Sequence, residues 1–216
     1  MNVTSWLLVA VFGAVAMVDW IAVARRSKPL EYVCKPGCMV VLIAAAVVMD
    51  PSDPTARAWL VAALALSTVG DVFLMLRPTA FATQASRQFV AGLASFLLAH
   101  VAYIAGFQVD GTELVPLGFP AAVLLVALVG RPLIASARRS EPELVGPVAA
   151  YVVVIAVMVA TAIGTGDWRA GVGAVVFATS DSLIARERFV AATRWGPLAI
   201  IVTYHIAQAL LLLSFA

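Results

Sequence analysis

Long runs of apolar residues recur along the chain, and the short segments between them hold most of its charged residues. Each run approaches the roughly 20 residues that a helix needs to span a bilayer. The pattern predicts an all-α fold, a bundle of eight transmembrane helices that forms one transmembrane domain over residues 1–216. The runs cover about residues 5–24, 34–50, 57–76, 88–109, 114–130, 147–164, 169–186 and 197–215.

Prolines and the first basic cluster refine these boundaries. Pro36, Pro147 and Pro197 fall near predicted helix starts, where a missing backbone N–H costs nothing. The first run is followed by basic residues and not preceded by them, which is the opposite of a cleaved signal peptide. We therefore expect the first run to be a retained helix.

Composition then excludes whole classes of protein. Hydrophobic residues make up 63% of the chain and charged residues 12%, whereas soluble domains carry about 25% charged residues. A soluble enzyme, a nucleic-acid-binding protein and a disordered chain are excluded. We expect a multi-pass protein of the cell membrane that contacts membrane lipids and binds no nucleic acid. The two cysteines, Cys34 and Cys38, imply no disulfide framework.

Charge alternates along the junctions between the runs. Acidic residues dominate every other junction, and the remaining junctions are basic. Because basic loops stay on the cytoplasmic side, this alternation predicts that both termini lie outside. The basic residues are Arg25, Arg26, Lys28, Arg77, Arg87, Arg131, Arg138, Arg139, Arg186, Arg188 and Arg194.

A short internal similarity links the third and fourth predicted helices to the seventh and eighth. The segment 87–91 resembles 187–191, and the Gly70-Asp71 pair resembles Ser180-Asp181. Both pairs of helices run in the same direction, so the similarity suggests a parallel repeat of four helices plus four, about an axis along the membrane normal.

Four ionisable residues lie inside the predicted spans: Asp19, Lys35, Asp71 and Asp181. Each costs at least ~2.5–3.5 kcal/mol in hydrocarbon, which favours a functional role. The three aspartates precede the next basic residue by five or six positions, so they lie roughly 8–9 Å in from the cytoplasmic rim. Two close carboxyl groups in such a site do not both ionise easily, which supplies one general acid and one general base. We predict these roles for Asp71 and Asp181.

Lys35 is one cation for three carboxylates, and we predict that it faces the bundle interior and pairs with Asp19 or Asp71. A structural alternative is that Asp19 serves only as its charge partner. In another alternative, Asp19 or Lys35 reaches the interface and has no catalytic part. Direct contact of Lys35 with a substrate phosphate is a third alternative.

Further polar residues project from nearby spans and extend this polar layer toward the membrane centre. Single hydroxyls and amides in membrane helices often serve only as interhelical hydrogen bonds, and substrate binding is the functional alternative. With two histidines and no spaced pair on one helix, we predict no metal site, and we predict no cofactor. The candidate substrate-binding residues are Lys35, Ser67, His100, Tyr103, Ser180, Tyr204 and Gln208.

The polar positions and their neighbours resemble the YhhN family of integral membrane proteins. The resemblance runs in order over nearly the whole chain. Its pieces are Lys35-Pro36, Ser67 with 70–75, Gly92, 95–100 with Tyr103, 177–183, Thr203-Tyr204 and Gln208.

This resemblance implies a lysoplasmalogenase, which hydrolyses the vinyl ether bond of a lysophospholipid to a fatty aldehyde and a glycerophospho-alcohol. It also implies that Asp71 and Asp181 are the essential aspartates. The main alternative is a proton- or cation-coupled transporter, or a lipid-binding protein, that uses the same buried carboxyl groups. A purely structural bundle is a third.

Overall fold

The computed structural model describes residues 1–50, 53–76 and 82–216, without the side chains of residues 82–86 and 110. Over these residues the chain is helical and has no β-strand, so the all-α prediction is confirmed. The long helices are α1 (Val3–Ala24), α2 (Lys28–Val48), α3 (Pro54–Met75), α4 (Ala82–Asp110), α5 (Val115–Ser140), α6 (Val145–Gly164), α7 (Trp168–Phe189) and α8 (Gly196–Ser214).

Side chains at the helix starts explain why several helices begin where they do. The Asn2 side chain accepts a hydrogen bond from the backbone N–H of Ser5, and Asp53 accepts two, from Thr55 and Ala56. Asp167 accepts one from the N–H of Arg169. These caps satisfy donors that the first helical turn leaves without an intrahelical acceptor.

The start of α2 differs from the prediction. The helix begins at Lys28, not at residue 34, so Pro36 lies inside it and does not mark its start. A proline in the first turn, Pro29, suits a helix start because its fixed φ is already helical. The first turn of α2 contains the charged residues Lys28 and Glu31. A run of apolar residues indicates which part of a helix lies in the hydrocarbon core, and it does not indicate where the helix begins. Pro36 removes one intrahelical hydrogen bond, a loss that membrane helices tolerate.

Helix α5 is longer than predicted because it does not stop at Gly130. Its residues Val126–Gly130 form a π-helical turn, and the helix then continues to Ser140. Pro132 lies two residues after this wide turn and has no N–H for the carbonyl one turn earlier. The proline ring would otherwise interrupt the backbone hydrogen bonds of the helix, and the π-helical turn rearranges these hydrogen bonds so that the helix continues.

Seven of the described helices are long and apolar enough to cross a membrane, so a multi-pass membrane protein is confirmed. The remaining long helix, α7, does not belong to this set, and it carries five charged residues. An eight-span bundle with both termini outside therefore stays a prediction, as does the repeat. The charged residues of α7 are Arg169, Asp181, Arg186, Glu187 and Arg188.

The chain divides into two compact units, residues 1–106 with 215–216 and residues 107–214. In the first unit α1 packs on α2, and α2 packs on α3. In the second unit α5 packs on α6, α6 on α7, and α7 on α8. Gly118 of α5 lies so close to the carbonyl of Ala160 in α6 that any side chain there would overlap it. A single domain over residues 1–216 stays a prediction.

Candidate active site

An ion pair in the first unit joins two of the ionisable residues that the sequence places inside the membrane. Asp71 of α3 is buried, and its Oδ1 lies 3.2 Å from the Nζ of Lys35 on α2. The prediction that Lys35 points inward and pairs with a carboxylate is confirmed, with Asp71 as the partner. The pair balances one negative charge with one positive charge in an interior where either alone would be costly.

Small residues bring α4 close to α3 in the turns that precede Asp71. A Cβ on Gly70, the residue before Asp71, would lie 2.6 Å from the ring of Phe96, so only glycine fits against that ring. The Ser95 hydroxyl donates a hydrogen bond of 2.7 Å to the carbonyl of Leu66 on α3. Ser95 thus acts as an interhelical contact, and α4 packs against α3 at Leu66 and at Gly70, the residue before Asp71.

Three other candidate residues of the first unit lie in its interior. Ser67, one turn before Asp71, is fully buried, and among the described residues its hydroxyl has no hydrogen-bond partner. His100 and Tyr103 of α4 are fully buried as well. Their burial is compatible with either a packing role or a substrate-binding role, and the second stays a prediction.

Asp19 of α1 is the fourth ionisable residue, and its side chain is completely buried. Within residues 1–50, 53–76 and 82–216, neither of its carboxyl oxygens has a hydrogen-bond partner. It interacts electrostatically with Lys35 and, more weakly, with Asp71. Asp19, Lys35 and Asp71 therefore form one polar cluster, in which Lys35 forms its ion pair with Asp71 and not with Asp19.

In the second unit, the other candidate catalytic residue has a phenol as partner. The hydroxyl of Tyr151 on α6 donates a hydrogen bond of 2.6 Å to Oδ2 of Asp181 on α7. The sequence analysis missed Tyr151. Its one signal is a phenol hydroxyl within a long apolar helix whose other hydroxyl belongs to Thr161, and nothing in the sequence shows which carboxylate it contacts.

Residues near Asp181 on α7 contact α8 through a hydrogen bond and an aromatic pair. The Ser180 hydroxyl donates a 3.0 Å hydrogen bond to the carbonyl of Ile200, which supports an interhelical role for Ser180. The ring of Tyr204 packs edge-on against Phe177, with 5.6 Å between centroids. Gln208, one turn after Tyr204, is fully buried. Substrate binding by these residues stays a prediction.

A second ion pair fixes the charged end of α7. Arg188 donates through two nitrogens to the two carboxylate oxygens of Glu141, at 2.7 and 2.6 Å. Two parallel hydrogen bonds from one guanidinium to one carboxylate fix the relative orientation of the two side chains. Glu141 directly follows α5, so this pair joins the end of α5 to the end of α7.

Each unit thus contains one candidate catalytic aspartate with a hydrogen-bonding or charged partner of its own. Asp71 has an ammonium, and Asp181 has a phenol. That both carboxyl groups act on one substrate stays a prediction. Within the part of the chain that the structure describes, no three His, Cys, Asp or Glu side chains come together as a metal site.

Comparison with known proteins finds a family and several relatives. The model of the YhhN family matches residues 30–215. The chain is 33% identical to "Lysoplasmalogenase TMEM86B" of Homo sapiens over 198 residues, 91% of this chain and 76% of that protein. It is 35% identical to "Lysoplasmalogenase" of Mycobacterium bovis over 183 residues, 82% of this chain and 67% of that protein. No solved structure gives a significant match.

Proposed function

The chain belongs to the YhhN family, and on that premise we propose that it is a lysoplasmalogenase, which hydrolyses the vinyl ether bond of lysoplasmalogens. The similarity to human and mycobacterial relatives that bear this name carries the proposal. The buried Lys35–Asp71 pair supports the proposal. This pair supplies a carboxylate inside a membrane protein, where a carboxylate is suited to acid–base chemistry.

The reaction adds water across a vinyl ether in two stages. A carboxylic acid first protonates the β-carbon, which gives an oxocarbenium ion. Water then attacks this ion and gives one proton to a carboxylate, which leaves a hemiacetal. As the hemiacetal collapses, its hydroxyl proton returns to the first group and the glycerol oxygen takes the proton from the second. Both carboxyl groups regain their starting states, as in two-carboxylate glycoside hydrolysis.

The proposed roles follow from the partners of the two aspartates. An ammonium at 3.2 Å stabilises the charged form of a carboxyl group, which suits Asp71 to accept the proton from water and to stabilise the cation. Asp181 would then deliver the proton to carbon. The Tyr151 hydroxyl at 2.6 Å would hold the Asp181 carboxyl group in a fixed orientation.

The substrate would be a lysophospholipid that stays in the membrane during the reaction. Its ether linkage lies near the boundary of the hydrocarbon, the depth that the sequence indicates for the aspartates. Its phosphate would face the basic cytoplasmic loops and its chain the apolar helices. We further propose that Ser67, His100 and Tyr103 of the first unit bind the substrate. In the second unit Ser180, Tyr204 and Gln208 would do so.

Purified protein in detergent, incubated with lysoplasmalogen, tests the proposal by release of fatty aldehyde. The matched control substrate is the saturated ether of the same chain length, which has no double bond to protonate and should yield no aldehyde. Aldehyde from the vinyl ether alone is the expected result. A well-folded protein that releases none would reject the hydrolase, and proton- or cation-coupled transport by the same carboxyl groups would take its place.

A further inference from the structure

Asp19 lies in the interior without a contact that would stabilise a negative charge. Its side chain is fully buried, and neither carboxyl oxygen accepts a hydrogen bond from any described residue. An ionised carboxylate buried without donors is far more costly than a neutral carboxylic acid in the same place. The surroundings of Asp19 therefore favour the form that carries a proton.

The packing of α1 on α2 places Asp19 near Lys35. Val15 of α1 packs over Gly37 of α2, where a Cβ would lie 3.9 Å from the Val15 side chain. The two helices are joined by a turn of three residues, 25–27, and so run in opposite directions. Asp19, one turn after Val15, therefore lies beside the part of α2 one turn before Gly37. Lys35 exerts the strongest charge interaction on Asp19, and it is attractive.

Among the described residues, Asp19 has no cation of its own. The Lys35 ammonium forms an ion pair with Asp71, with 3.2 Å between Nζ and Oδ1. Asp19 has no ion pair of its own in the part of the chain that the structure describes. An ionised Asp19 would be a buried carboxylate with neither an ion pair nor a hydrogen-bond donor among the described residues. The lower-energy arrangement has Asp19 neutral.

We propose that Asp19 is protonated at neutral pH and that it is a positioning residue, whose lack of charge keeps Lys35 paired with Asp71. The effect on catalysis rests on the proposed function, since it acts through the Asp71 carboxylate. Asp19 lies in α1, which precedes the residues 30–215 that the family model matches.

This arrangement has a consequence at high pH. Once Asp19 ionises, its carboxylate competes with that of Asp71 for the Lys35 ammonium, and the ion pair between Lys35 and Asp71 weakens. We therefore expect an alkaline decline of kcat/KM in the wild type that Asp19→Asn shifts to higher pH or removes. The titratable and charged groups around Asp19 are Glu31, Cys34, Lys35 and Cys38 of α2 and Asp71 of α3.

Infrared spectroscopy of the purified protein without substrate tests the protonation state directly. The difference between wild type and Asp19→Asn at neutral pH should show the loss of a carboxylic acid C=O band. Asp53→Asn is the matched control, because Asp53 is a partly exposed helix cap that accepts two backbone N–H bonds, which lower its pKa. That control should lose a carboxylate band.

Loss of a carboxylate band in Asp19→Asn would overturn the proposal. If Asp19→Asn does not fold, Asp19→Glu keeps the acid and should move the carboxylic acid band to another frequency; an unmoved band would equally overturn it. Neither spectrum needs turnover. Protein that has the band but releases no aldehyde would therefore reject the hydrolase and leave the protonated Asp19 in place.

Discussion

The Nζ of Lys35 lies 3.2 Å from Oδ1 of Asp71, with 14% of the lysine side chain and 3% of the aspartate side chain exposed. A second lysine of the same helix, Lys28, forms an ion pair with Glu31 at 2.6 Å but has a side chain that is 62% exposed. Helix α2 thus contains one ion pair with a mostly buried lysine and one with a mostly exposed lysine. These two pairs provide an internal comparison for the energetics of the site.

Lys35→Met should lower the free energy of unfolding by about 3 kcal/mol, because it leaves the Asp71 carboxylate buried without its cation. The exposed control, Lys28→Met, should change it by less than about 1 kcal/mol. Thermal or denaturant unfolding in detergent measures both. The double variant Lys35→Met with Asp71→Asn removes both charges and should regain much of the lost stability. A double variant no more stable than Lys35→Met would contradict the pairing.

Asp71→Asn and Asp181→Asn should each reduce the rate of aldehyde release by at least ~100-fold, the lower end of a general acid–base contribution. Since the two groups act as a unit, the double variant should be little slower than the slower single one. Asp53→Asn is the control, because asparagine caps a helix as well as aspartate does, and its rate should match wild type. Near wild-type hydrolysis by either site variant would remove that residue from the mechanism.

Tyr151→Phe should reduce kcat/KM by about 10-fold or more, because the phenol donates to the carboxylate that forms on Asp181 as it gives up its proton, and this is the value of one hydrogen bond to a charged group. The ring remains and only the hydroxyl that donates to Asp181 is lost, so the Tm should change little. Tyr32→Phe, at a tyrosine that is about half exposed, is the matched control and should behave as wild type. A Tyr151→Phe enzyme of full activity would show that the phenol does not orient the acid.

Gly118→Ala should destabilise the protein by about 1–3 kcal/mol, because the new methyl group would overlap the backbone of Ala160. Gly13→Ala in α1 meets no heavy atom within 4 Å and serves as the control. In a helix interior alanine is favoured over glycine, so Gly13→Ala should be neutral or slightly stabilising. Unfolding curves of the two variants make the comparison, and equal stability would show that α5 and α6 do not approach so closely.

Cysteine labelling from outside intact cells tests the orientation of the helices and whether α7 crosses the membrane. The native cysteines, Cys34 and Cys38, are buried and should react slowly. If both termini are outside, Glu113→Cys and Trp168→Cys should react, whereas Ser140→Cys and Ala192→Cys should not. Reaction at Ser140 but not at Glu113 would reverse the orientation. Reaction on both sides of α7 would show that α7 does not cross.

The sequence predicts the helices well because the cost of burying backbone in lipid leaves few other structures for long apolar runs. It predicts their ends less well. The polar first turn of α2, from Lys28 to Glu31, is helical without being hydrophobic, so the apolar pattern misses it. The continuation of α5 past Gly130 depends on a π-helical turn, for which hydropathy has no signature.

The same contrast holds for the candidate site. The ion pair of Lys35 could be predicted because an unpaired ammonium in the membrane is costly, although its choice of Asp71 could not. The contact of Tyr151 with Asp181 joins residues 30 positions apart, and it depends on how α6 packs against α7. Sequence periodicity along either helix holds no information about that contact.

The π-helical turn at Val126–Gly130 also determines the rotational phase of everything that follows it in α5. Such a turn acts as one residue inserted into an α-helix, and one residue corresponds to about 100° of rotation around the axis. Ser136 and Ala137, buried beyond the turn, therefore face inward on a stripe displaced from the one that precedes it. Deleting a single residue within the turn would remove this insertion and restore a regular α-helix, with Ser136 and Ala137 still facing inward. The same deletion in the regular helix between the turn and Ser136 would instead bring Arg138 to the inward position of Ala137.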